Sequence, residues 1–497
     1  MSEPSATDSA SEGTPSERGA IDRRTLIKSA GSLALGLSAF AHADVPRKTF
    51  AHVGLGSRAR LYLGALTGKY REGNELVAIC DSNRGRLALA GKLVASNGLP
   101  TPKMYIAADF DRMLRETKPQ YVIVTSPDAT HDDYIVRALD AGCNVLTEKP
   151  MTTTAEKAQR ILDACNRNGR HVRVMFNYRY SPPRTQVKDL LMSNVIGDIL
   201  SVDFNWLLNT MHGADYFRRW HSHKAVSGGL MVHKATHHFD LVNWWLGAQP
   251  HTVLSYGKRE YYTPDMAKRM GLKSPHERCH TCPEKSACTF YMDLGADPKL
   301  KQLYLDNEEF DGYYRDQCVF RPEIDIEDTM NVIVRYNTGT TLSYSLNACN
   351  AFEGYRIAFN GTKGRLEHEV VEQIYVAGGN MTQGAIATDG VKTRVIPLRG
   401  AWKDIEPWTG TGGHGGGDDV MLAEVFGSAP ADKYLRASDE RSGAYSMLIG
   451  AAANQCFKTG QAVKIDELVK GLTPPDMPPM PTRSTTVPMP TKVQIKT

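Results

Sequence analysis

Residues 48–66 read KTFAHVGLGSRARLYLGAL. The run Thr49 to Val53 is apolar and β-prone. A glycine-rich turn, Gly54-Leu55-Gly56-Ser57-Arg58-Ala59, separates it from a helix-like run. A strand, a turn with the spacing G-x-G-x-x-A and a helix fit a dinucleotide-binding turn. Gly54 permits the tight turn, Gly56 lets the backbone approach a pyrophosphate, and Ala59 keeps the helix close to the sheet. The helix start, with Ser57 and Arg58, offers N–H donors and the positive end of the helix dipole. Alone the motif is weak, and a glycine turn without a ligand has the same letters. Its context strengthens it, because a second strand, ELVAIC at 75–80, ends at Asp81. A carboxylate there bonds a ribose 2′-hydroxyl and repels a 2′-phosphate, which favours NAD over NADP. Arg84 and Arg86 stand close enough to weaken that preference.

The pattern continues through residues 109–154, where helical stretches alternate with apolar strands at Tyr121 to Thr125 and Asn144 to Thr147. Such alternation predicts a doubly wound parallel sheet. Ligands of these sheets lie beyond the carboxyl ends of the strands. Two loops fall there, Ser126-Pro127-Asp128-Ala129-Thr130-His131 and Glu148-Lys149-Pro150. Ser126, Pro127, His131, Glu148 and Lys149 join Gly54, Gly56, Ser57, Arg58 and Asp81 as candidate cofactor residues.

The VGLG turn, the TSPDATH loop and the EKP tripeptide, at these intervals, resemble the Gfo/Idh/MocA family of glucose–fructose oxidoreductases, inositol dehydrogenases and rhizopine-catabolism proteins. The resemblance covers roughly residues 48 to 465. It implies an α/β fold: an N-terminal Rossmann domain, then a C-terminal α+β domain with a mostly antiparallel open sheet. It also implies NAD(P) bound between the domains, a sheet that mediates homo-oligomers (dimer or tetramer), and a catalytic lysine at Lys149. An ammonium beside a substrate oxygen stabilises alkoxide character, and a cationic nicotinamide nearby lowers the ammonium's pKa. Without the resemblance, Lys149 reads as a surface lysine before a proline.

Residues 228–247, GGLMVHKATHHFDLVNWWLG, carry three histidines and Asp240. The family pattern of two glycines, aspartate, histidine and aspartate places its catalytic histidine on His237 and its last aspartate on Asp240. The intermediate aspartate position is His233, a departure that puts the proton route and the substrate preference in doubt. On one continuous helix, His233, His237, Asp240 and Trp244 share a face. An i, i+4 histidine pair also suits zinc, but Lys234 opposes a metal, and a structural role is the third reading. His238 reads as structural. Nearby aromatic and basic residues suit a sugar, which presents apolar faces and many hydroxyls. The candidate substrate residues are Tyr178, Arg179, Trp220, His233 and His237, within FNYRYSPP and HGADYFRRWHSHK. The glycine-rich stretch 409–419, with His414 and Asp418, reads either as a loop closing over a ligand or as a plain linker.

The chain has 497 residues, which implies two folded domains. A net charge of +4 without a basic run argues against nucleic acid, and no apolar stretch predicts a stable membrane span. Arg23-Arg24, an apolar stretch and Ala41-His42-Ala43 resemble a twin-arginine export signal over residues 1–43, with the periplasm as the destination. The expected domains are 44–170, for the cofactor, and 171–465, for substrate and oligomerisation. The second holds a cysteine-containing insertion at about 260–325. Within it, Cys279, Cys282, Cys288 and Cys318 suit a structural zinc or, in an oxidising compartment, disulfides. From Thr473 to the end, Pro- and Thr-rich sequence predicts a tail without a core of its own. Together these features point to an exported, NAD-dependent oxidoreductase with a tightly bound cofactor, acting on a sugar or sugar derivative. His237 would take the hydroxyl proton, with His233 supporting it. The alternatives are a redox-neutral NAD-dependent glycoside hydrolase and a non-catalytic sugar-binding protein.

Overall fold

Two hydrophobic periodicities build two sheets. The computed structural model describes residues 47–273, 275–376, 382–484 and 486–487. The export-signal expectation falls on residues 1–43, outside the described residues. The first sheet contains β1 (Lys48–Val53), β2 (Asn74–Asp81), β3 (Lys103–Ile106), β4 (Tyr121–Val124), β5 (Asn144–Thr147) and β6 (Val172–Val174). They lie parallel in the order β6-β5-β4-β1-β2-β3. Helices α1 (Ala59–Thr67), α2 (Arg84–Ser96), α3 (Phe110–Thr117), α4 (His131–Asp140) and α5 (Ala155–Asn168) connect them. Val122, Ile123 and Val124 are all buried, as expected of strands covered on both faces. The Thr154 hydroxyl accepts the Lys157 N–H at the start of α5, and Gly169 in the left-handed region ends it.

The second sheet follows α6 (Pro182–Met192). Its elements are β7 (Ile199–Asn209), α7 (Thr210–Arg218), the short helices α8 (Lys224–Ser227) and α9 (Gly229–His233), α10 (Thr236–Leu246) and β8 (Pro250–Lys258). After the insertion, which carries α11 (Pro264–Arg269) and α12 (Pro298–Leu303), come β9 (Thr329–Tyr336), β10 (Thr341–Asn350), β11 (Glu353–Gly361), β12 (Gly364–Glu372), β13 (Ile386–Pro397) and β14 (Lys403–Ile405). Helix α13 (Gly417–Phe426), strand β15 (Ser438–Asp439), helix α14 (Glu440–Thr459) and strand β16 (Val463–Lys464) complete the chain. The nine strands run β14-β13-β12-β11-β7-β10-β9-β8-β16; β7 and β10 pair in parallel, the other pairs antiparallel. Strand β9 alternates buried Met330, Val332 and Val334 with solvent-facing neighbours, so one face of the sheet meets the core. Strand β15 returns to pair antiparallel with β6, and α13 packs Met421, Val425 and Phe426 with Phe50 and Tyr62.

The insertion between β8 and β9 is rooted by Asp328, whose carboxylate accepts the backbone N–H groups of Glu260, Tyr261 and Tyr262. Farther out, Arg315 meets Asp215 of α7 at 2.6 Å with both side chains fully buried, and within the insertion Arg278 meets Asp316 at 2.8 Å. Its cysteines do not act as the staple. All nine cysteines of the chain are free, so the expected disulfides do not form. Among the described residues, no group of three or more His, Cys, Asp or Glu side chains is arranged to hold a metal, so the zinc expectation for Cys279, Cys282, Cys288 and Cys318 is not met either. The physical reason is local. The Arg218 guanidinium donates to the Cys279 thiol at 3.3 Å, putting a cation where a zinc would compete. Burial also raises the Cys288 and Cys318 thiols, which disfavours the thiolate that zinc needs.

The Pro-rich tail lies against the folded domains. Met477 and Met480 pack on the second domain, and the Arg483 guanidinium donates to the Thr338 carbonyl at 2.6 Å. Met480 lies beside Lys188, whose buried ammonium donates to the Trp244 carbonyl at 2.6 Å near the carboxyl end of α10.

Candidate active site

A cleft of about 620 Å³ opens at the carboxyl edge of the parallel sheet. Gly54 sits at φ 86°, and a Cβ there would collide with the Ser126 backbone, so both the turn and the close approach of the two loops require glycine. At Gly56, a Cβ would meet only the Tyr304 hydroxyl, 4.0 Å away, which leaves the turn open to a ligand. The Asp81 carboxylate, at the end of β2, accepts the Leu55 N–H at 2.5 Å and the Asn83 N–H at 2.7 Å, which fixes it at the cleft wall. Arg86 pairs with both Asp81 and Asp311, so it is no longer available to a 2′-phosphate. An open glycine turn, a helix start and a fixed carboxylate fit a dinucleotide with an unphosphorylated ribose.

The other expected cofactor residues line the same cleft in varied ways. His131 acts as a pin, its ring nitrogens 2.9 Å from the carbonyl oxygens of Pro150 and Ser126, tying the two sheet-edge loops together. Glu148 accepts the Tyr62 hydroxyl at 2.7 Å and pairs with Arg58. Burial pushes the Glu148 carboxyl up, but Arg58, the Tyr62 hydrogen bond and the Lys149 charge together outweigh it and hold the carboxyl below its ordinary value. Arg58 also pairs with Asp418 at 3.1 Å, and Asp418 lies 2.9 Å from His414 Nδ1. The glycine-rich stretch therefore brings His414 to the cleft wall rather than serving as a plain linker; a Cβ at Gly417 would collide with the Asn177 carbonyl.

At the inner end of the cleft, Lys149 meets His233. The Lys149 ammonium donates to the His233 carbonyl at 3.1 Å and lies 3.5 Å from His233 Nε2. On the far side of the ring, His233 Nδ1 lies 2.5 Å from the Asp128 carboxylate. An ammonium can only donate, so it faces a lone pair on Nε2; the ring proton then sits on Nδ1 and is donated to Asp128. Burial lowers Lys149 from its ordinary value to about 8, against the opposing pull of Asp128 and Glu148. Burial, then the Lys149 charge, holds His233 well below the usual histidine range, so the ring is neutral. Burial raises Asp128, and Lys149 opposes that rise.

His237 has different company. Its ring stacks on Tyr178 with centroids 4.3 Å apart, and its Nδ1 is buried without a hydrogen-bond partner among the described residues. The expected continuous helix is broken: α9 ends at His233 and α10 starts at Thr236, so the four residues do not share one helical face. Asp240 turns away and binds Arg179 through two bonds, at 2.6 and 2.8 Å, with both side chains 1 % exposed. Arg179 therefore does not line the cleft and its expected substrate role is corrected: the pair is closed on itself. Tyr178 supports His237 from a small adjoining cavity, and Trp220 lines the main cleft, stacked on His221 at 3.5 Å. His238 is fully buried and bonds Tyr344, as expected of a structural residue.

Sequence reasoning missed Asp128, although it lies inside the quoted TSPDATH loop. It also passed over His221, which meets the His233 ring at 4.2 Å, and Tyr304, Asp311 and Tyr313 of the insertion, all at the cleft wall. A carboxylate beside the edge-loop proline was the signal for Asp128; nothing in the sequence marked the insertion residues.

Comparison with known proteins agrees with this fold. The oxidoreductase family's NAD-binding Rossmann fold matches residues 48–176, and its C-terminal alpha/beta domain matches residues 188–465. The chain is 37% identical over 412 residues to the putative oxidoreductase YteT of Bacillus subtilis, covering 81% of this chain and 94% of the relative. It is 34% identical over 125 residues to the D-glucoside 3-dehydrogenase of Escherichia coli, covering 25% of this chain and 34% of that enzyme. Among solved structures, the WlbA dehydrogenase from Bordetella pertussis, in complex with NADH and UDP-GlcNAcA, matches with a TM-score of 0.55 at 20% identity, covering 84% of this chain and 98% of that one.

Proposed function

The chain belongs to the Gfo/Idh/MocA oxidoreductase family, a carbohydrate oxidoreductase with an NAD-binding Rossmann fold, and on that premise we propose that it oxidises a secondary hydroxyl of a sugar or sugar glycoside while holding its cofactor tightly. The observation that carries the reading is the meeting of Lys149 with the His233–Asp128 pair at the inner end of the dinucleotide cleft. Bound NAD supplies the hydride acceptor. His233, oriented by Asp128, accepts the hydroxyl proton at Nε2, and the Lys149 ammonium holds the oxygen as negative charge develops on it. His237 hydrogen-bonds the same hydroxyl, and its stack on Tyr178 fixes the ring. This moves proton acceptance from the family's histidine position to the position where the family has an aspartate. Trp220 offers an aromatic face to the substrate, and the likeness to a D-glucoside 3-dehydrogenase supports a sugar.

The twin-arginine-like segment supports export to the periplasm, and an exported enzyme with little exchangeable NAD needs a cofactor recycled within one site. Exposed Tyr256 and Ile333 on the outer face of the nine-stranded sheet support a homo-oligomer. The test is a screen of the cofactor-loaded protein against free sugars and aryl glycosides, following bound-cofactor reduction and phenol release together. Cofactor reduction on a sugar, without phenol release, is expected. Phenol release without net reduction sinks the dehydrogenase reading and makes the protein a redox-neutral glycosidase. Turnover of neither kind leaves a binding protein.

A further inference from the structure

We propose that the insertion's segment from Tyr304 to Tyr313 is part of the dinucleotide site: it caps the glycine turn, selects NAD over NADP, and slows release of the cofactor. The inference rests on the NAD-binding assignment and not on the identity of the sugar.

Three contacts place the segment there. The Ser57 N–H, in the glycine turn, donates to the Tyr304 hydroxyl at 3.3 Å. The Asn83 side-chain amide donates to the Asn307 carbonyl at 2.8 Å, at the start of α2. Asp311 pairs with the same Arg86 nitrogen, Nη2, that meets Asp81. The approach is close enough that a Cβ at Gly85 would collide with the Asn307 side chain. The far end of the segment is anchored to the second domain through Arg315 and Asp215, two fully buried charges at 2.6 Å. A segment held to both domains across the cleft mouth is built to stay.

Its chemistry suits the ligand. The Ser57 N–H belongs to the group of donors that a pyrophosphate takes at such a turn. A tyrosine hydroxyl both accepts and donates, so the group that now accepts this N–H can turn and donate to a phosphate oxygen instead. Asp311 adds a second carboxylate beside Asp81 at the ribose end, and the two together neutralise Arg86 and repel a 2′-phosphate. Cofactor exchange requires the segment to lift, which breaks its contacts with Asn83 and Arg86.

The test uses Tyr304→Phe and Asp311→Ala in the full chain, with NAD and NADP affinities measured by titration and NAD content measured after gel filtration. Thermal melts check that each variant is folded. Tyr304→Phe is expected to weaken NAD about tenfold, the loss of one hydrogen bond to a charged group. Asp311→Ala is expected to narrow the NAD-to-NADP preference by about tenfold and to lower the NAD retained through the column. Folded variants with parental NAD affinity, NADP discrimination and retention would overturn the inference alone. A parent protein with no measurable NAD binding would overturn the inference together with the assignment on which it rests.

Discussion

Two buried acid–base groups lie close to α10 and behave in opposite ways. Arg179 and Asp240 meet through two bonds, exclude water and satisfy each other, and neither reaches the cleft. Asp128, His233 and Lys149 also meet, but they line the cleft and are unevenly matched: one carboxylate faces one imidazole, and among the described residues the ammonium beyond has no carboxylate of its own at hydrogen-bond distance. The first group is an internal fastening. The second keeps a lone pair and a cation ready for a substrate. Burial alone therefore does not separate structure from chemistry; what separates them is whether a group's capacity for hydrogen bonds and charge is already spent.

The largest test of that contrast is Lys149→Met. The methionine keeps the shape and removes the cation, and kcat is expected to fall about 10³-fold or more, the scale of a lost transition-state charge contact. NAD affinity, measured by titration, stays near that of the parent. A kcat within tenfold of the parent would remove Lys149 from the chemistry and erase the contrast.

Arg179→Met attacks the closed pair. It leaves Asp240 buried without a partner, a loss of about 3–5 kcal/mol in unfolding free energy, while kcat per folded molecule stays within a few-fold. Denaturant unfolding reads the first quantity and titrated active sites the second. The double variant Arg179→Met/Asp240→Leu regains most of the stability, because neither charge is then stranded. If Arg179→Met instead costs kcat and spares stability, the pair belongs to the active site.

Asp128→Asn attacks the open group more gently. Asparagine keeps the size but binds the His233 ring without a charge, so its hold on the Nδ1–H tautomer weakens. A fall of about 10²-fold in kcat is expected, with KM and the melting temperature little changed. His237→Gln is expected to cost less than Asp128→Asn. The reverse order would return the proton-accepting role to His237.

These same groups show what the sequence exposes and what it conceals. The glycine turn, Asp81, the edge loops and the two sheets were legible because backbone geometry and side-chain periodicity act over a few residues. The partner of His233 was not, because it sits 105 residues away on a loop that reads only as turn chemistry. Arg179 looked like an exposed sugar binder for the same reason: Asp240, 61 residues on, absorbs it. The helix expected through His233 and His237 failed on a two-residue break, where Lys234 and Ala235 separate α9 from α10 and send the two imidazoles into different surroundings. The insertion was read for its cysteines, the residues that stand out in composition. Its contribution to the cleft comes instead from Tyr304 and Asp311, whose meaning depends on a fold-back onto the glycine turn 247 residues earlier and onto Arg86 of α2 225 residues earlier.

The smallest expected effect is the dependence of rate on pH, and it tests the protonation states directly. Burial holds the Lys149 ammonium at about 8. As pH rises through that value the side chain loses its proton, and with it the charge that steadies the oxyanion. His233 is depressed well below its ordinary value, so its Nε2 stays free to accept a proton across the neutral range. The rate is therefore expected to be flat near neutrality and to fall about tenfold for each pH unit above 8. Lys149→Arg, which keeps its charge at high pH, should turn over more slowly but lose this alkaline fall. If the parent's rate instead rises through pH 8, the free amine of Lys149 is the proton acceptor, and the division of labour between Lys149 and His233 is the reverse of the one proposed.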